Sequence, residues 1–405
     1  MTSAQPGRPA PLHLAVALDG AGWHPAAWRE ADAQPQRLFT AGYWTELAQQ
    51  AERGLLDFLT IEDALNLQSD DRFEADSRTD RVRGLLDAAL IAARVAPATQ
   101  HIGFVPTAIT YHTEPFHLSK AIATLDYVSS GRAGIRIQVG ARADTAAHFG
   151  RREVEPLRRD RLTDPVVQRL ITDRFDEAAD YVEVLRRLWD SWEDDAEIRD
   201  VATGRFIDRD KLHYIDFEGR WFSVKGPSIT PRPPQGQPVV AALGHGSVPY
   251  QLIARSADVG FVTPHDAAHA AEIVAEIRAA QASAGRAGQT VHVFGELVVF
   301  LDDTEAAAVA RKQRLDERAG TEYRSDAQIH AGTAAGLADL LQDWQAGGLS
   351  GFRLRPGALP HDLTQITGQL VPELQRRGLF RTGYEADTLR GLLGLGHPAN
   401  RYAAA

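Results

Sequence analysis

Short apolar runs alternate along the chain with stretches in which apolar residues return at three- and four-residue spacing. The runs lie at Leu12–Leu18, Leu55–Ile61, Ile102–Val105, Ala133–Val139, Val239–Leu243, Val259–Val262, Val291–Leu301 and Gly351–Leu354. Each reads as a buried strand. Between them the helical spacing predicts helices over Tyr43–Arg53, Arg83–Val95, Pro115–Val128, Phe175–Trp189, Tyr250–Ser256, Ala267–Ser283, Thr304–Arg318, Ala334–Ala346 and His361–Arg377. The helix over Arg83–Val95 is expected to turn Leu85, Leu86, Ala89, Leu90 and Ala93 inward. Strand and helix in alternation predict an α/β protein with a parallel sheet. Eight such units point to a closed (β/α)8 TIM barrel.

The unit from His101 to Gly140 shows the grammar most clearly. A strand stops at Pro106-Thr107, a loop ITYHTEP follows, and Glu114-Pro115 open a helix that Ser129-Ser130-Gly131 end. A carboxylate and a missing N–H both suit a helix start. The next strand then runs to Val139, so strand, helix and strand form one parallel βαβ unit. Ligands of such folds bind beyond the carboxyl ends of the strands, which places Thr107, His112 and Gly140 at the expected site.

Three stretches interrupt the rhythm. Residues 142–173 are charged and lack a strand, and read as a long mobile excursion after strand 4. Residues 191–237 hold a β-hairpin before strand 5, HYIDFEGRWFSVKG, whose alternating runs meet at Glu218-Gly219. Its Arg220-Trp221-Phe222 side must pack on the barrel or a second subunit, because a lone hairpin is marginal. Residues 320–333 form the third insertion, with Tyr323–His330 unstructured. Residues 1–11 read as a disordered tail, 12–380 as one barrel domain, and 381–405 as a tail packing on the barrel.

Composition narrows the function. The net charge of −10 over 405 residues argues against nucleic acid or an anionic membrane as partner. No apolar run approaches the roughly 20 residues of a membrane span. The chain has no Cys, which excludes disulfides and thiolate chemistry and suits a cytoplasmic protein. His residues show no HExxH or His-x-His pairing, so no metal site is expected.

Candidate chemistry gathers at strand ends. Thr107 can bond a planar cofactor or merely finish a strand. Asp63 can accept from a ligand or serve as an N-cap. Gly244-His245-Gly246-Ser247 turns into a helix, where amides and dipole favour an anion and glycine lets a phosphate approach; the plain alternative is a helix start capped by Ser247. His24 and His112 sit in loops on the expected active face, as proton shuttles or as ordinary surface residues. Trp23, Trp28 and Phe116 are candidates for the wall of an apolar pocket or, equally, for core packing.

Longer segments carry a resemblance. GWHPAAWR, YWTELAQQAERGLLDFLTIED, TEPFHLSKAIATLDYVSSGRAG, FDEAADYVEVLRRLWDSWEDDA, DKLHYIDFEGRWFSVKGPSITPRPPQGQPVV and VPELQRRGLFRTGYEADTLRGLLGLGHP resemble the bacterial-luciferase-like flavin monooxygenases. Within them the chain is most similar to the nitrilotriacetate, EDTA and dibenzothiophene-sulfone monooxygenase branch, from about Leu12 to His397. The resemblance implies a barrel enzyme that takes FMNH2 from a separate NAD(P)H:flavin reductase, reacts it with O2 to a C4a-peroxyflavin, and oxidises a small organic substrate. It implies flavin contacts from Asp63, Thr107 and the residues around Gly140, a phosphate turn at Gly244, Gly246 and Ser247, and a homodimer or homotetramer. His24 or His112 would be the polar catalytic group at the reactive flavin edge. The chain departs from the branch in three places. Arg136 stands where an Asn usually meets the flavin, Gly246 replaces a Ser of the phosphate turn, and Phe175 replaces a Tyr that reaches the phosphate. Arg142, Arg151 and Arg152 are the candidates to compensate. Two other readings stay open: an F420-dependent oxidoreductase on the same barrel, and a flavin-binding protein without monooxygenase activity.

Overall fold

The computed structural model describes residues 11–71, 73–140 and 142–403, so most of the expected N-terminal tail lies outside the described residues. Eight parallel strands close into a ring: β1 His13–Leu18, β2 Phe58–Ile61, β3 Gly103–Ile109, β4 Gly134–Gln138, β5 Val239–Gly244, β6 Val259–Val262, β7 His292–Leu301 and β8 Gly351–Pro356. Each pairs with its neighbours in chain order, and β8 closes on β1. The (β/α)8 barrel expected from the alternation is the fold.

Helices cover the outside: α1 Ala41–Arg53, α2 Ala88–Val95, α3 Pro115–Val128, α4 Pro165–Asp190, α5 Ser247–Ser256, α6 Ala267–Ser283, α7 Glu305–Ala319 and α8 Ala334–Ala346. After β8 the chain is helical from His361 to Arg376 through a π segment at Ile366–Leu370.

Several boundaries differ from the reading of the sequence, each for a local reason. α2 begins only at Ala88, where the Asp87 carboxylate accepts from the Leu90 N–H. Leu85 and Leu86 precede it, so the buried face is Ala88, Ile91, Ala92 and Val95, and Leu90 stands 70% exposed. α4 begins ten residues before Phe175, because Asp164 caps it and Pro165 occupies its first turn. The excursion after β4 also holds a short helix, Asp144–Phe149. Tyr323–His330 is not wholly irregular: Gln328–Gly332 is a strand beside the upper half of β7, which overhangs the barrel. The hairpin pairs Phe217–Glu218 with Ser223–Val224, so its turn spans 219–222 and not Glu218-Gly219. It packs on α4, with Phe222 edge-on to Tyr181 and Arg220 paired with Asp173. A second hairpin, Glu197–Asp200 with Arg205–Ile207, precedes it.

The barrel interior has two halves. At the amino ends of the strands, Phe58, Val105, Val239, Phe261 and Phe294 form an apolar layer, closed from below by Leu389 and Leu393 of the C-terminal segment. Gly103 and Gly134 make room for this plug; a Cβ on Gly103 would lie 2.6 Å from Leu389. The upper half is charged, and it forms the floor of the site.

Candidate active site

A cavity of about 950 Å3 opens at the carboxyl ends of the strands, near the upper end of the roughly 300–1,000 Å3 common for ligand pockets. Its floor comes from strand alternation. Residues two apart on one strand face the same way, so Thr60 and Glu62 point inward while Ile61 and Asp63 point away. Thr107 and Arg136 meet across β3 and β4, and Arg353 and Arg355 project from β8.

These side chains form one alternating chain of charge. Arg136 donates through Nε to Thr107 Oγ1 at 2.9 Å and through Nη2 to Gln138 at 2.9 Å, and is paired with Glu62. Glu62 also accepts from Arg353 at 2.5 Å. Arg353 donates through Nε to Thr60 at 2.9 Å and pairs with Glu296, which in turn pairs with Arg355. Arg355 reaches Asp326 at 2.6 Å, and Asp326 lies 3.2 Å from His245 in the turn after β5. The indole of Trp23 lies over the Arg355 guanidinium at 4.5 Å. Burial lowers the Arg136 guanidinium to about 10 and that of Arg355 to about 9, so both are cations at neutral pH.

Asp19, at the end of β1, lies beside this network. Burial, reinforced by the Glu62 charge, pushes its carboxyl up to about 7. A pKa raised by folding favours the protonated form in the folded state. That contribution is complete below the unfolded pKa and is lost as pH rises through about 7. Asp19→Asn is therefore expected to match the parent near pH 4 and to exceed it above pH 7. The gain should be about 2 kcal/mol, discounted because the side chain keeps some solvent contact. Melting temperatures of both proteins across pH 4–9 check this; a constant offset at every pH would sink it.

The far end of the cavity is the start of α5. Gly246 is the N-cap, no side chain caps the helix, and Ser247 is its first residue and not its cap. A Cβ on Gly246 would meet nothing within 4 Å, so the turn faces open space. Gly246, Ser247 and Phe175 all line the cavity. Gly244 does not; its missing side chain admits Tyr250, which a Cβ would approach to 2.8 Å.

The other candidates fall on both sides of the wall. Arg136, Gly140 and Trp23 line the cavity, and Thr107 lies under Arg136 inside β3, which continues to Ile109. Asp63 turns outward and accepts from the Ala64 and Ala88 N–H groups at 2.7 and 2.9 Å; burial raises its carboxyl to about 6. The cavity-facing carboxylate is its neighbour Glu62, which the two-residue alternation forward from Thr60 would have indicated. His24 is buried away from the lining. Its Nδ1 accepts from the Ala26 N–H, so Nε2 carries the proton and donates to Asp316 at 3.0 Å. His112 lies behind Gly140, stacked on Phe149 at 5.5 Å; burial and the charges of Arg152 and Arg174 lower it to about 4. Trp28 and Phe116 also lie outside the lining. Arg142 lines the cavity, whereas Arg151 pairs with Glu114 and Arg152 with Glu177, both outside it.

Among the described residues no three His, Asp or Glu side chains converge as a metal site, and no helix is long and apolar enough to cross a membrane. The model of the luciferase-like monooxygenase family matches residues 21–349. The chain belongs to that family. This luciferase-like monooxygenase is 31% identical to the N-acetyl-S-(2-succino)cysteine monooxygenase of Bacillus subtilis (strain 168), over 97% of this chain and 98% of that one. It is 30% identical to nitrilotriacetate monooxygenase component A of Aminobacter aminovorans, again over 97% and 98%. A crystal structure of riboflavin lyase with modified FMN and riboflavin superimposes with a TM-score of 0.82, at 25% identity over 96% of this chain and 97% of that one. In this luciferase-like monooxygenase all three branch departures, Gly246, Phe175 and Arg136, line the cavity.

Proposed function

We propose that the chain is the oxygenase of a two-component system that takes FMNH2 from a separate NAD(P)H:flavin reductase and uses O2 to oxidise a small organic molecule. The observation that carries this is one continuous cavity joining an uncapped helix start to the polar barrel floor. The four N–H groups of a helix start lack internal partners and favour an anion, and Gly246 leaves the space a phosphate needs. The floor offers Arg136, Gln138 and Glu62 to a polar ring edge. The donor set thus fits a flavin mononucleotide although two hydroxyls of the branch are absent. The name of the Aminobacter relative, component A, supports a partner component.

Bound reduced flavin supplies two electrons and two hydrogens, so that one atom of O2 enters the substrate and the other leaves as water. The residues of this chain bind, orient and exclude water. Backbone amides at Gly246 and Ser247 would hold the phosphate, and Arg136, fixed by Thr107 and Glu62, would present positive charge to the ring. Aliphatic residues of the excursion side, among them Ile171 and Val139, keep water from the reacting atoms. His24 and His112 have no place in this assignment. The enzyme is proposed to act in the cytoplasm as a homodimer or homotetramer.

Anaerobic titration with FMNH2, FMN and F420 tests the reading. FMNH2 is expected to bind more tightly than FMN. Ser247→Asp should weaken FMNH2 about 100-fold, roughly 2.7 kcal/mol, without loss of stability, because a carboxylate suits a helix start but repels a phosphate. Selective binding of F420 would replace the reading with the deazaflavin one, and binding of none would end both. Flavin binding with NADH consumed but no product across many substrates would favour a flavin-binding protein without oxygenase activity.

A further inference from the structure

The cavity walls also speak to the substrate, on the reading that flavin occupies the phosphate end and the floor. Among the described residues three arginines line the cavity, Arg136, Arg142 and Arg355, and each already has a carboxylate. Arg136 is paired with Glu62, Arg142 with Asp144, and Arg355 with Glu296 and Asp326. The guanidinium of Arg142 also donates to Leu67 O at 3.0 Å. Three carboxylates, Glu62, Asp71 and Asp326, lie in the same wall, so lining cations and lining acids balance.

Several neutral polar side chains are engaged as well. Asn66 donates to Thr145 at 2.8 Å, Gln68 accepts from the Gly84 N–H at 2.7 Å, Gln138 accepts from Arg136, and Ser69 donates to Asp76 at 3.1 Å. Gln168 bonds the Leu162 carbonyl, and His245 lies against Thr263 and Asp326. Much of the remaining wall is apolar: Leu65, Leu67, Ile109, Ile171, Val248 and Leu252, with the rings of Trp23 and Phe175. An anionic substrate would have to compete for a guanidinium with the carboxylate already bound to it, or lie uncompensated beside Glu62 and Asp326. Breaking a buried pair and burying an unpaired charge are both costly. An uncharged apolar molecule meets neither obstacle.

We propose that this enzyme oxidises an uncharged, largely apolar substrate, unlike the polycarboxylates named by the relatives from Bacillus subtilis and Aminobacter aminovorans. Specificity lies in the apolar wall, of which Ile171 of α4 is part. Among the described residues the start of α5 is the anion position of the cavity that no carboxylate already faces, and the flavin phosphate would take it.

The test uses the full chain loaded anaerobically with FMNH2, and two probes of equal length that differ in charge, 1-decanol and decanoate, with nitrilotriacetate as a third. Calorimetry is expected to show decanol at least tenfold tighter than decanoate, and no nitrilotriacetate binding. Ile171→Arg places an unpaired cation in the wall and is expected to shift the ratio at least tenfold toward decanoate. Equal or tighter binding of decanoate or nitrilotriacetate by the parent overturns the proposal. So does binding of none of the three, since the wall then accepts no apolar chain. A ratio unmoved in Ile171→Arg removes that wall from the substrate site and overturns the assignment. Failure of FMNH2 to bind at the outset is a separate result: it ends the flavin reading and, with it, the division of the cavity on which this proposal rests.

Discussion

Glu296→Leu is expected to destabilise the protein by about 3–5 kcal/mol, the usual cost of breaking a buried ion pair by removing one partner. The Glu296 carboxylate has no solvent contact and stands between Arg353 and Arg355, which are themselves almost fully buried. Its loss leaves two guanidiniums inside the barrel with one carboxylate partner each, Glu62 for Arg353 and Asp326 for Arg355. The effect should be partly reversed in Glu296→Leu/Arg353→Met, where donor and acceptor are removed together and apolar bulk fills the space. Urea unfolding of the parent and both variants measures this. A single-variant loss below about 1 kcal/mol would show that the network contributes little to stability.

Leu389→Ala is expected to cost about 3 kcal/mol, within the range for a buried leucine in a site that cannot collapse. Leu389 is fully buried beneath the barrel, against Phe58 and the backbone at Gly103 and Gly134. Those glycines are held in the sheet by strand pairing, so the walls of the new cavity cannot move in to fill it. The same substitution at Leu90, which stands 70% exposed, should change stability by less than about 0.5 kcal/mol. Equal effects at the two positions would refute the plug as the seal of the apolar layer. The pairing of Arg381 with buried Asp57 fastens the segment's start to β1 through the Leu14 N–H, which donates to Asp57 at 2.7 Å.

The electrostatics of the site and the packing of the base are linked by the barrel's geometry. Alternate residues of every strand share one interior, so apolar side chains near the amino ends and charged ones near the carboxyl ends form stacked layers. The lower layer excludes water and makes the upper layer a low-dielectric floor. This lowers the pKa values of Arg136 and Arg355 and raises that of Asp19. A defect in the base is therefore felt at the site through hydration as well as through stability.

The order of strands and helices was legible in the chain because each barrel strand is covered on both faces, which requires a continuous apolar run, and each helix packs one face, which requires spacing of three and four. The turn at Gly246-Ser247 was legible for a local reason too, since a helix start is written in adjacent residues. Helix α2 shows the limit of local reading: Leu85, Leu86 and Leu90 match helical spacing, but the Asp87 cap sets a later phase and leaves Leu90 outside. What only the tertiary structure decided is which polar side chains meet. Asp63 and Glu62 are neighbours with the same charge, and one strand pleat sends the first to the Ala88 N–H at the start of α2 and the second to the cavity floor. Glu296, Arg353 and Asp326 carried no signal, because Arg353 and Arg355 interrupt an apolar strand and their partners lie 57 and 29 residues away along the chain. Charge pairing acts through space between strands brought side by side by barrel closure, and a linear pattern records the period of each strand but not the register that places one beside another.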